Sequence, residues 1–312
     1  MTLLYYDPRF LEHDTGQHPE QAERLRQVVR HLENTGLLTE CERPTWQPAS
    51  RERLERVHEA GHIDRVAAVA KQGGGRLDAD TVVSPASFDV ARLAAGAACD
   101  AVDRILAGGA KTALCLVRPP GHHALAERAM GFCLFNNIAV AACVARDEHQ
   151  LDRILIVDWD VHHGNGTQDT FYADGRVGFF SIHRWPFYPG TGAADETGVG
   201  DGAGATRNLP IAFGTPRQTY REMFRRELED FAARIRPRLV LISAGFDAHR
   251  EDPIGSLGLE VEDFAELTKI VLAVAATYAD GRVASVLEGG YNPPVLAECV
   301  QTHLRGLLEA GV

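Results

Sequence analysis

RILIVDWDVHHGNG, residues 153–166, sets an apolar run directly against Asp158, Asp160 and His162. The run Arg153–Val157 is short and rich in Ile, Leu and Val, the composition of a strand covered on both faces. The three polar residues are spaced by two. If the strand continues through them, their side chains point the same way. Two carboxylates and an imidazole on one face are costly to bury unless a cation is present.

Three other apolar runs end in the same manner. Thr112–Val117 leads into Arg118-Pro119-Pro120-Gly121-His122-His123, Arg238–Ser243 into Ala244-Gly245-Phe246-Asp247-Ala248-His249, and Arg282–Leu287 into Glu288-Gly289-Gly290-Tyr291-Asn292. Leu3–Tyr6 and Val177–Ile182 read as further strands. Helical patterns separate them. One holds Leu25, Val28, Val29 and Leu32 and stops at Gly36; others cover Pro85–Leu106, the stretch from Thr215-Pro216 to Pro237, Asp263–Tyr278, and the residues after Pro293-Pro294. Alternating strands and helices predict an α/β fold, a mainly parallel sheet with helices on both faces. Residues 1–312 read as a single domain, without repeats or an obvious linker. Gly73–Ser84 and Arg184–Asn208, rich in Gly and Asp, resist assignment, and loops of that length are often functional. In an open parallel sheet, ligands bind beyond the carboxyl ends of the strands, so the four polar clusters should converge on one pocket.

Composition narrows the partners. The net charge of −11 disfavours a phosphate backbone, so no direct nucleic-acid contact is expected. No stretch approaches the ~20 apolar residues of a membrane span. The start, MTLLYYDPRF, lacks the basic and apolar regions of a signal peptide. Six cysteines form no CxxC pair, which suits reduced thiols in the cytoplasm. Nothing conflicts with a homo-oligomer.

Asp247 ends its strand as Asp160 and His162 end theirs. Two oxygens and one nitrogen, with a fourth position open, describe a catalytic zinc site. Ligands without thiolate also suit ferrous iron or cobalt, so the residues define the site more sharply than the metal. His122 and His123, adjacent in a turn, are suited to proton transfer because imidazole titrates near neutral pH. Tyr291, after two glycines, can offer a phenol to a developing oxyanion.

The strings RPPGHHA at 118–124, GFCLFNN at 131–137, DWDVHHGNGTQ at 158–168, FYPGTG at 187–192, SAGFDAH at 243–249 and EGGYN at 288–292 resemble, in order, those of the histone deacetylase superfamily. That superfamily includes acetylpolyamine amidohydrolases and acetoin-utilisation proteins. The resemblance implies the arginase–deacetylase fold, a sheet of about eight strands. It implies one catalytic zinc on Asp160, His162 and Asp247. It also implies a structural potassium held by the side chains of Asp158, Asp160 and Ser181 and the carbonyls of His162 and Ile182. His122 would pair with Asp158, and His123 with Asn165, an amide as in class II-like members. His123 is then the expected base and acid, His122 an electrostatic partner, and Tyr291 the oxyanion donor.

For substrate, the resemblance places Gly131 and Phe132 on one wall of a narrow tunnel and Tyr188 on the other, walls that would sandwich the stem of an acyl-lysine. Ile254 occupies the position where polyamine-selective members can carry a glutamate. An apolar residue there favours an acyl-lysine protein or peptide over an acetylated polyamine, the alternative substrate. Asp78 or Asp80 could hold a peptide backbone at the entrance. Arg24 matches an arginine behind the metal, although its surroundings read HPEQA where the family has HPERP. An arginase-like ureohydrolase would need further carboxylates in a DAHxD-type string, which DWDVHHGNG lacks. The expected reaction is hydrolysis of a linear amide by metal-activated water.

Overall fold

In the computed structural model, which describes residues 1–311, four adjacent strands of one sheet carry the four polar clusters. The strands are β1 (Thr2–Tyr5), β2 (Gly75–Asp78), β3 (Thr81–Val83), β4 (Thr112–Cys115), β5 (Ile154–Asp158), β6 (Val177–Arg184), β7 (Thr206–Ile211), β8 (Leu239–Ala244) and β9 (Val283–Leu287). Seven of them form the main sheet in the order β1-β4-β9-β8-β5-β6-β7, every pair parallel. The expectation of about eight strands becomes seven here, with β2 and β3 forming a separate antiparallel hairpin. All residues of β1, β4, β5, β8 and β9 are buried, as near-continuous apolar runs require.

The chain leaves β4 for β5 and returns later to fill the gap with β8 and β9. The strand order therefore reverses where β4, β9, β8 and β5 lie side by side, and a crevice opens beyond their carboxyl ends.

The α-helices are α1 (Glu23–Asn34), α2 (Arg51–Leu54), α3 (Ala60–Lys71), α4 (Ser87–Leu106), α5 (Asn137–Asp147), α6 (Asn165–Phe171), α7 (Arg217–Ile235), α8 (Val261–Tyr278) and α9 (Pro293–Ala310). α4 packs on α5; α1, α9, α8 and α7 pack in succession. The glycine and proline signals fall where expected, and α8 begins two residues before the Asp263 read from the sequence. Gly36 adopts φ 77° after α1. Pro216 precedes α7 and Pro293 begins α9. A reciprocal capping box between Glu260 and Asp263 starts α8. Among the described residues no helix is long and apolar enough to cross a membrane.

The two unassigned stretches acquire distinct structures. Gly73–Ser84 contains the β2–β3 hairpin, and Arg184–Asn208 runs as a long loop into the start of β7. β7 escaped sequence reading because Thr206–Ile211 is interrupted by Arg207 and Pro210, which an edge strand tolerates.

Candidate metal centre and active site

β5 ends at Asp158, and the polar residues beyond it lie in a turn, so the extended strand expected through His162 is not formed. The convergence survives by another route. Ligand atoms of Asp160, His162 and Asp247 all lie within 4.8 Å of one another, and all three residues are buried. His162 Nδ1 stands 3.0 Å from Asp160 Oδ1 and 3.1 Å from Asp247 Oδ2. Asp158 faces a different partner: its Oδ2 lies 2.9 Å from His122 Nδ1.

Backbone amides fix the outward sides of the two carboxylates. Gly289 N donates to Asp160 Oδ2 at 2.8 Å, and Val161 N donates to Asp247 Oδ1 at 2.8 Å. A Cβ at Gly289 would collide with both carboxylates, and one at Gly245 would collide with Asp160. Only glycine lets the β8 and β9 turns close on this cluster. Asp247 Oδ2 is buried and makes no hydrogen bond, although His162 Nδ1 is near. Burial, and then the charge of Asp160, push the Asp247 carboxyl up from its ordinary value. An unsatisfied buried carboxylate oxygen beside a second carboxylate and an imidazole is a set of donors that fits a divalent cation.

The histidine pair stands against this cluster with its rings 4.0 Å apart. Burial alone would push His122 down. Asp158 and Asp160 outweigh it and hold the imidazole up at about 10. Burial pushes His123 well down, and the neighbouring His122 and His162 push it further. His123 Nδ1 lies 2.7 Å from Asn165 Oδ1, at the start of α6. An amide oxygen can only accept, so Nδ1 carries the proton and Nε2 keeps its lone pair. The amides of Gly121 and His122 both donate to Glu288 Oε2, at 2.7 and 3.2 Å. Burial brings Glu288 up to about 7. Its role in seating the histidine turn was not legible, although its place at the end of an apolar run was a signal.

Tyr291 is seated from three sides. Its amide donates to Asp252 Oδ2 at 2.6 Å, the Arg24 guanidinium lies over its ring at 4.9 Å, and the Phe132 ring meets it edge-on at 5.6 Å. Arg24 is fully buried. The departure of HPEQA from the family string therefore does not put Arg24 on a helix surface. Asp252, outside any matched string, was missed. Tyr188 meets the His123 ring edge-on at 5.2 Å, and a Cβ at Gly131 would strike that same imidazole. Phe132 holds φ 68°, a left-handed conformation costly for an aromatic residue, and Thr81 Oγ1 accepts its amide hydrogen. Ile254 is half-buried, and its amide donates to Asp252.

Asp78 and Asp80 belong to the β2–β3 hairpin; after burial, their charges are among the causes that raise the Tyr188 phenol. Ser181 pairs in register with Asp158 across β5 and β6, both fully buried, and Ile182 follows it.

The model of the histone deacetylase domain matches residues 18–307. A histone deacetylase-like amidohydrolase of Pseudomonas aeruginosa is 39% identical over 283 residues, covering 90% of this chain and 74% of its own. The polyamine deacetylase HDAC10 of Homo sapiens is 41% identical over 323 residues, covering 98% of this chain and 48% of that one. The crystal structure of the HDA15 HD domain superposes with a TM-score of 0.93 at 37% identity, covering 98% of this chain and 90% of that one. Matches across nearly the whole chain, on a sheet that brings these motifs together, lead to one conclusion: the chain belongs to the histone deacetylase family of hydrolases.

Proposed function

We propose that the chain is a zinc-dependent amidohydrolase that removes acetyl or other short acyl groups from the side-chain amine of lysine. The observation that carries this reading is the buried Asp160–His162–Asp247 cluster, with its unsatisfied Asp247 oxygen, beside a neutral His123 and the Tyr291 ring. Bound zinc supplies a Lewis acid for the acyl carbonyl and lowers the pKa of water to ~7.

This chain's residues do the rest. Asn165 fixes the His123 tautomer, so Nε2 takes the proton from the attacking water and returns it to the leaving amine. His122, charged on Asp158, stabilises negative charge on the substrate without exchanging its proton. The Tyr291 hydroxyl donates to the oxyanion of the tetrahedral intermediate. Gly131, Phe132 and Tyr188 flank the stem of the substrate, and Ile254 lies at the rim. A potassium held by Asp158, Asp160 and Ser181 side chains, with the carbonyls of His162 and Ile182, would balance the buried carboxylates; the in-register pairing of Asp158 with Ser181 supports it. Six unpaired cysteines support a cytoplasmic location.

The relative named as a polyamine deacetylase favours a second reading, hydrolysis of acetylated polyamines. Ile254 argues for acyl-lysine, because it offers a second ammonium no carboxylate at the position where polyamine-selective members can carry a glutamate. Turnover of acetyl-lysine peptides and acetylspermidine by zinc-loaded protein separates the two. The acyl-lysine reading expects the peptides to lead in kcat/KM, and a lead for acetylspermidine would replace it. For the proton-transfer roles, His123→Ala should abolish turnover. Near-normal turnover of that variant, with none in His122→Ala, would exchange the two histidines.

A further inference from the structure

Arg184 is the last residue of β6, the strand beside β5, so it stands on the same rim of the sheet as the metal cluster. Its guanidinium lies 4.2 Å from the centroid of the Phe187 ring and 4.5 Å from that of Phe213. Phe187 stacks in turn on the His162 imidazole, with centroids 5.2 Å apart and planes within 16°. A continuous stack therefore runs from Phe213, 66% exposed, through Arg184 and Phe187 to a candidate metal ligand. The same guanidinium bridges the two segments that carry Tyr188 and Ile254. Phe187 precedes Tyr188, and Arg184 Nη1 donates to the carbonyl of Gly255, the neighbour of Ile254, at 2.8 Å.

The charge of Arg184 is uncompensated. Its side chain meets two rings and a carbonyl, and among the described residues no carboxylate pairs with it. Arg207 and Arg221 pair with Glu227 and Asp263, whereas Arg128, whose charge acts on Tyr188, likewise lacks a carboxylate partner among the described residues. In a chain of net charge −11, an unpaired cation on the site rim is conspicuous. Both rings lie within cation–π reach of the guanidinium, and after the bond to Gly255 further N–H donors remain on it. A planar fork held in this way has lost its rotamer freedom in advance and matches a carboxylate. A second ammonium, as in a polyamine, would meet like charge.

We propose that Arg184, clamped between Phe187 and Phe213, is a carboxylate-recognition subsite beside the mouth, selecting substrates in which an aspartate or glutamate flanks the acylated lysine. This rests on the acyl-lysine reading above. The Phe213 ring, its centroid 4.5 Å from the guanidinium carbon, covers part of a half-buried cation, which strengthens an ion pair there relative to a fully open surface.

The test uses two acetyl-lysine peptides differing only in a flanking Glu or Gln, with acetyl-lysine methylamide and acetylspermidine as unflanked references. In the wild type, the Glu peptide should lead in kcat/KM by about three- to tenfold, mostly through KM, and the lead should fade at about 0.5 M salt. Arg184→Gln should bring the ratio near unity, and Phe213→Ala should lower it. A wild-type ratio of one or less, or a ratio unchanged in Arg184→Gln, overturns the subsite. Should that variant not fold, the wild-type ratio, its salt dependence and Phe213→Ala decide. Turnover of acetyl-lysine methylamide with no flank preference sinks the subsite alone. Turnover of acetylspermidine with none of any acetyl-lysine substrate sinks the acyl-lysine reading, and the subsite with it.

Discussion

Arg24 Nε donates to the carbonyl of Gly290 at 2.6 Å, tying α1 to the turn that presents Tyr291. Its Nη2 donates to the carbonyl of Glu288 at 2.5 Å, and its Nη1 to Glu20 at 3.1 Å. One buried side chain thus holds both ends of the Glu288–Gly290 turn and covers the Tyr291 ring.

Replacing Arg24 by methionine keeps the stem and removes these donors. The turn loosens, and kcat should fall by about 100-fold, the cost of a small misplacement at a reacting centre. Tyr291→Phe should lower kcat by about 100- to 1000-fold as one oxyanion donor is lost. If Tyr291 already lacks its hydroxyl, Arg24→Met should cost little more. Steady-state kinetics of the two single variants and the double variant check this; fully multiplicative losses would show that Arg24 acts elsewhere.

Asn165→Leu preserves the approximate shape and removes the acceptor that fixes His123. The imidazole is then free to place its proton on either nitrogen. Turnover should fall by about 10- to 100-fold with KM little changed. A change confined to KM would assign Asn165 to substrate binding instead.

Stability should carry a pH signature from Glu20. Burial alone would raise its carboxyl. Arg118, with hydrogen bonds of 2.5 and 2.8 Å, together with His13 and Arg24, outweighs that and brings it down to about 2 from an ordinary 4.5. A lowered folded value means that the stabilisation is complete above the ordinary value. It is lost as pH falls from 4.5 towards 2, and amounts to on the order of 3 kcal/mol. Glu20→Gln strands Arg118 and should cost about 3–5 kcal/mol at pH 7. Urea titrations of both proteins at several pH values should show that gap closing below pH 4.5. A gap that stays constant down to pH 3 would mean Glu20 does not hold its charge through Arg118.

The fold was legible because its strands are unusually plain: apolar runs such as Ile154–Val157 and Val240–Ile242 are bounded by glycine turns, and their polar termini marked the pocket. The site residues at those termini were legible for the same reason. Less legible were groups whose work depends on three-dimensional neighbours. Asp252 sits in a loop like many solvated aspartates, and only the fold aims its carboxylate at the amide of Tyr291. Glu20 and Arg118 are 98 positions apart, and no local pattern announces their pairing. Phe213 follows a strand with a mixed sequence, so neither β7 nor the Arg184 stack could be read in advance.

The account stands or falls on metal held by Asp160, His162 and Asp247, and metal content with matched turnover tests it most directly. Purified protein should hold about one zinc per chain, as a three-ligand catalytic site requires. Chelation should remove both zinc and acetyl-lysine hydrolysis, and added zinc should restore them. Asp247→Asn should bind almost none while remaining folded by circular dichroism. Undiminished metal binding in that variant, or hydrolysis that survives complete removal of metal, would contradict the account.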